Sequence, residues 1–122
     1  MPDDDLPDAA GLAALRAELE RRLAELERLE AATRDDRRPV ELDQQSSGRL
    51  TRMDALQQQQ MALATGQRRQ AAGQRIRAAL ARMDAGDYGW CLSCDEAIEP
   101  ARLRLDPATP LCLACQQGGE QR

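Results

Sequence analysis

Four cysteines fall near the end of the chain as two Cys-x-x-Cys pairs, Cys91 with Cys94 and Cys112 with Cys115. Seventeen residues separate the pairs, and the chain has no histidine. No other feature constrains the fold as much. Two such turns on one compact lobe place four sulfurs tetrahedrally at ~2.3 Å from a zinc ion. The spacing falls in the range of four-cysteine zinc sites. Four protein ligands leave no open position to activate water, so the metal expected here, one Zn2+ per chain, is structural. With few apolar residues nearby, zinc supplies the lobe's folding energy, on the order of 10–16 kcal/mol for such sites. A thioredoxin-like redox pair needs a βαβ setting that is absent. Iron–sulfur clusters use other cysteine spacings. Reversible oxidation of the thiolates stays open as chemistry.

The rest of the chain is written for helices. Only 2% of its 122 residues are aromatic, and Ala, Leu, Arg, Glu and Gln dominate. Residues 1–7 are acidic, hold Pro2 and Pro7, and read as a flexible lead. Asp8 is placed to cap the helix that follows. Leu12, Leu15, Leu19, Leu23, Leu26 and Leu29 recur in steps of three and four and form one stripe. The helix must end before Pro39. A polar turn region holding Pro39, Ser46, Ser47 and Gly48 follows. A second helical pattern starts near Leu50 or Thr51 and runs to Ala85. Its apolar positions are Leu50, Met53, Leu56, Met61, Ala64, Ala72, Ile76, Leu80 and Met83. Gly66 and Gly73 interrupt it, each costing ~1 kcal/mol against Ala; they mark either close helix approach or a softer middle. Gly86 suits a left-handed cap.

Two amphipathic helices joined by a polar turn bury their stripes on each other. The expected fold is mainly α: an antiparallel coiled-coil hairpin over residues 8–86, with its tip at about 36–52. A four-cysteine zinc lobe takes 87–117, and 118–122 form a flexible tail. About 25 paired residues give an arm of roughly 40 Å. A dimeric coiled coil built on the first helix is the alternative. Tyr88 and Trp90 read as an apolar plug between helix and knuckle. The Gln57–Gln60 run reads as a solvated helix face, and Arg68, Arg69, Arg75, Arg77 and Arg82 as a basic patch near the arm's base.

A net charge of −4 argues against sequence-independent binding to nucleic acid. No apolar run approaches the ~20 residues that span a bilayer. The start, MPDDDLPDAAG, lacks a signal pattern, so a cytoplasmic protein is expected.

The segment GDYGWCLSCDEAIEPARLRLDPATPLCLAC, preceded by a helical arm, resembles the DksA/TraR family of bacterial transcription factors, in particular its short DksA-like members. The matching features are the aromatic–Gly–aromatic–Cys lead, both CxxC pairs and their spacing, Ile98 before the Ala-Arg-Leu segment, Pro107, and Leu111–Cys112. The turn segment PVELDQQSSGRLTRMDALQQQQMA adds to it. The resemblance implies a partner, RNA polymerase. It implies a mechanism in which the arm enters the polymerase's secondary channel and acidic tip residues modulate initiation, without catalysis and without sequence-specific DNA binding by the protein itself. The family's Asp-x-x-Asp-x-Ala tip pattern is absent. The nearest candidates are Asp43, Asp54 and Ala55, with Arg49 and Arg52 close by. Asp54 also fits a capping box begun by Thr51.

Some relatives respond to guanosine tetraphosphate through basic residues. Arg75 matches one, whereas Asp106 and Gln116 stand where responsive relatives carry Arg and Lys. Direct nucleotide binding at that place is therefore not expected. Longer relatives continue past the last cysteine as a helix, which Gly118 and Gly119 argue against here. A monomer is expected. Two other functions fit the same residues: a zinc ribbon that binds nucleic acid with the coiled coil as a dimerisation arm, and a redox-sensing adaptor that works by thiol oxidation and zinc loss.

Overall fold

The computed structural model describes residues 6–34 and 49–120, with the side chains of 49–51 and 120 excepted. Among the described residues there are four helices: α1 (Ala9–Ala32), α2 (Arg49–Ala85), α3 (Pro100–Leu105) and α4 (Leu113–Glu120). The chain divides into two compact units. One joins the residues up to Ala24 with Gly73–Arg122, and the other is Glu25–Ala72.

The first unit holds the core. Leu19 and Ala79 are fully buried, and Ile76, Tyr88, Ile98, Leu103 and Ala108 nearly so. Asp8 caps α1 as the sequence suggests: its Oδ1 accepts from the Gly11 N–H at 2.7 Å. Here α1 and α2 run antiparallel. Near the start of α1, Arg16 pairs with Asp84 at 2.6 Å. Two turns further along, a Cβ on Gly73 would stand 3.8 Å from Leu23 Cδ1. A Schellman motif ends α2. Gly86 sits at φ 80, the Gly86 N–H donates to Met83 O at 3.2 Å, and the Asp87 N–H donates to Arg82 O at 2.8 Å.

In the second unit the helices are also paired, with Arg69 Nη1 donating to Thr33 Oγ1 at 2.8 Å. Thr33 closes α1, its amide and hydroxyl both bonding to Leu29 O. No large apolar side chain of this unit is buried among the described residues.

The leucine stripe of α1 is as expected, every member half-buried or better. The α2 stripe is as expected only in part: Ala64, Ala72, Ile76, Leu80 and Met83 are half-buried or better. Met53, Leu56 and Met61 are exposed, and the Leu50 side chain lies outside the described residues. The covered seam runs through Ala55, Gln59, Ala62, Gly66, Arg69, Gly73, Ile76, Leu80 and Met83. Its steps alternate four and three, the spacing of a coiled-coil seam. Small and polar residues fill most of it, so apolar periodicity picks out the exposed Met53, Leu56 and Met61 in the first half of α2 and the covered Ile76, Leu80 and Met83 in the second. Gln59 is on this seam, while Gln57, Gln58 and Gln60 are solvated.

Three further expectations are corrected. The helix begins at Arg49, so Thr51 lies inside its first turn and is not the cap. Leu6 and Pro7 are not part of a free lead: both are half-buried, and Leu6 packs against Gly89. The tail is helical as far as Glu120, since α4 runs through Gly118 and Gly119, and residues 121–122 lie outside the described residues. Its first turn is fixed from outside, as described below, which removes the nucleation cost that those glycines would otherwise compound.

Candidate metal centre

Each CxxC turn has its own support. The first sits at the end of a small backbone hairpin. The Ile98 N–H donates to Gly89 O, Trp90 bridges Ala97, and the Cys91 N–H donates to Glu96 O, all in antiparallel fashion. The Asp95 N–H turns back onto Cys91 O, with Asp95 at φ 63. Gly89 makes the entry possible. It lies at φ 99, and a Cβ there would come within 2.9 Å of Leu6 Cδ2. The second CxxC turn opens α4, where the Gln116 N–H donates to Cys112 O. The two are stitched together by the Leu92 N–H on Pro110 O at 2.9 Å.

The loop between them wraps the core. Tyr88 is buried and donates its hydroxyl to Pro107 O at 2.8 Å. Burial pushes its phenol up to about 12, so the hydroxyl stays a donor. Tyr88 thus serves packing, while Trp90 is half-buried at the knuckle. Helix α3, which periodicity did not reveal, starts at Pro100, where a missing N–H costs nothing.

The four sulfurs lie within 4.8 Å of one another, and Cys94 Sγ is 3.8 Å from Cys112 Sγ. A tetrahedron of sulfurs at 2.3 Å from zinc has edges of about 3.8 Å. The thiols are free, not paired as disulfides. Cys91 and Cys112 are buried, while Cys115 and Cys94 lie nearer solvent. Burial opposes ionisation of Cys91, but amide N–H groups of Cys112, Cys94 and Ser93 outweigh it and bring the thiol down to about 6. Cys115 is pushed up to about 12 by Cys112 first and then by the other two sulfurs. Four thiolates cannot crowd together without a cation between them. The donor set and its spacing fit one zinc ion held by Cys91, Cys94, Cys112 and Cys115, and bound zinc crosslinks the two turns.

The model of the prokaryotic dksA/traR C4-type zinc finger matches residues 86–121. The structure of transcription factor DksA2 from Pseudomonas aeruginosa is similar well beyond that segment. It is 32% identical, covers 94% of this chain and 87% of its own, and superposes with a TM-score of 0.73. The chain belongs to the DksA/TraR family. The solution structure of the DnaK suppressor protein from Agrobacterium tumefaciens is also similar, at 26% identity over 91% of this chain and 96% of that one, with a TM-score of 0.60. None of the curated proteins compared with the chain matches it. The DksA/TraR family is one of transcription factors and not of enzymes, which makes this chain a DksA-type regulator. No described helix is long and apolar enough to cross a membrane.

The other sequence candidates are distributed as follows. Asp43 and the Arg49 side chain lie outside the described residues. Arg52 and Asp54 are exposed on α2, and Ala55 is half-buried on its seam. The supposed basic patch is largely committed elsewhere. Arg68 donates to Thr65 Oγ1, Arg69 to Thr33, and Arg75 pairs with Asp106 at 3.0 Å. Arg82 is partly buried, and the loss of solvent lowers its pKa. Sequence reasoning missed Glu99, Arg102 and Thr109, whose side chains bond to the backbone around Cys112. A Glu at the start of a short helix with an Arg three residues on is too common a pattern to announce that role.

Proposed function

We propose that this DksA-type regulator binds RNA polymerase directly, enters its secondary channel with the hairpin tip, and so modulates transcription initiation. The observation that carries this reading is the 32% identity to transcription factor DksA2, which extends over 94% of the chain and so includes the helical arm as well as the zinc lobe. The tip, about residues 36–52 with the start of α2, presents Asp43, Arg49, Arg52 and Asp54 to the polymerase, and Ala55 supports them from the seam. Arg52 and Asp54 are exposed and without a structural duty among the described contacts, as tip contacts require. The net charge of −4 suits a protein surface better than a phosphate backbone. Guanosine tetraphosphate has no direct site in this reading, because Arg75 is engaged by the carboxylate of Asp106. The protein works as a cytoplasmic monomer.

The test is site-directed photo-crosslinking from position 54 to purified polymerase. Adducts near the catalytic centre are expected. Adducts confined to the enzyme's outer surface would overturn channel entry. Salt-sensitive binding of DNA by the protein alone would favour the zinc-ribbon alternative.

A further inference from the structure

Side chains add to backbone in holding the chain on either side of Cys112, whose own O accepts from the Gln116 N–H. Leu111 O, the carbonyl just before Cys112, accepts two hydrogen bonds: from Arg102 Nε at 2.8 Å and from Thr109 Oγ1 at 3.2 Å. The Leu113 N–H, just after it, donates to the Glu99 carboxylate at 3.1 Å to Oε2 and 3.4 Å to Oε1. Glu99 stands at the N-cap position of α3 and Arg102 lies within the helix, three residues on, so both arms come from one short stretch of chain. Thr109 is the buried polar residue of the core, at 1% exposure, and Leu111 O is the acceptor that its hydroxyl finds.

We propose that Glu99, Arg102 and Thr109 form a clamp that sets the pose of Cys112 and thereby the affinity and retention of zinc. They are positioning residues: none touches the metal. With both neighbouring peptide groups pinned, the Cys112 sulfur is oriented before the ion arrives, and less ordering is left to accompany binding. Outer groups that orient metal ligands are typically worth 10–100-fold in affinity. The arrangement also gives α3 a purpose: it carries Arg102, begins at Glu99, and buries Leu103 in the core.

The test measures zinc dissociation constants and release rates by chelator competition on the full chain, with cobalt substitution to report sulfur geometry. Glu99→Ala and Arg102→Ala should each weaken zinc binding about tenfold or more. They should also speed release and shift the cobalt ligand-field bands. Glu99→Gln, which keeps an acceptor oxygen for Leu113, should recover most of the loss. Leu103→Val removes core volume without touching the clamp and should leave the cobalt bands in place. Glu99 is solvent-exposed, so its alanine variant decides the matter even if Arg102→Ala does not fold. Affinity within twofold of the parent and unchanged bands for Glu99→Ala would overturn the proposal, as would equal band shifts in Leu103→Val.

Discussion

The two units of this chain are built from the same pair of helices and held together by different means. In the unit that carries the cysteines, Leu19 of α1 and Ile76 and Ala79 of α2 are buried with the core of the metal lobe. In Glu25–Ala72, the seam is lined by Ala55, Gln59, Ala62, Gly66 and Arg69, while Met53, Leu56, Met61 and Leu63 face solvent. Burial of apolar area is the main source of stability, so one unit is anchored and the other leans on helix propensity and close approach. Segments that must adapt to a partner are drawn from the less stable end of a structure. The difference teaches that length of helix is not a measure of buried core.

The contrast is broken most directly by removing the metal. Chelation, or Cys112→Ser, should abolish the near-UV circular dichroism of Tyr88 and Trp90, because the zinc lobe loses a contribution on the order of 10 kcal/mol. Much of the helical signal from Glu25–Ala72 should survive. Equal loss of both signals would mean that the units do not differ as described.

Next in size is Leu19→Ala, expected to cost about 2–5 kcal/mol in denaturant unfolding as a fully buried leucine. Leu26→Ala, at a half-buried position of the other unit, should cost clearly less. Comparable losses would erase the distinction.

Glycine substitutions sharpen it further. Gly89→Ala combines a positive φ with a contact of 2.9 Å to Leu6 Cδ2, and should cost roughly 1–3 kcal/mol in thermal unfolding. Gly73→Ala is expected to have the opposite sign. Its new methyl meets Leu23 Cδ1 and Arg77 Nη1 at ordinary contact distances, and helix propensity improves by up to about 1 kcal/mol. A lower melting temperature for Gly73→Ala would show that the helices cannot yield there.

The smallest effect is a surface one. Hydrogen bonds from Arg21 and then Arg22 bring the Glu18 carboxyl from the usual 4.5 down to about 2. A depressed carboxylate contributes above its unfolded pKa and stops contributing as pH falls through its folded one. The contribution of Glu18 is thus complete above about pH 4.5 and gone below about pH 2. A carbon-detected NMR titration should find that low midpoint, and Arg21→Ala should raise it.

Much of this architecture is legible in the sequence because its causes are local. The CxxC spacing, the Asp8 cap, the left-handed Gly86 and the α1 leucines each act within a turn or two of chain. The register of α2 is not local. Its seam is defined by what lies across from it, and Ala, Gly, Gln and Arg at those positions carry no hydrophobic signature. The same is true of Leu6 over Gly89, which depends on a neighbour more than eighty positions away.

What the sequence determined by itself is therefore the identity of the metal ligands, the presence of two long helices and the family. What only the tertiary structure decided is which face of α2 is covered, that α4 persists through Gly118 and Gly119, and that Glu99, Arg102 and Thr109 grip the peptide groups beside Cys112. The physical reason is the range of the forces involved. Dihedral preferences and ligand chemistry belong to a residue and its near neighbours, whereas close packing and backbone satisfaction are settled between segments that meet only once the chain has folded.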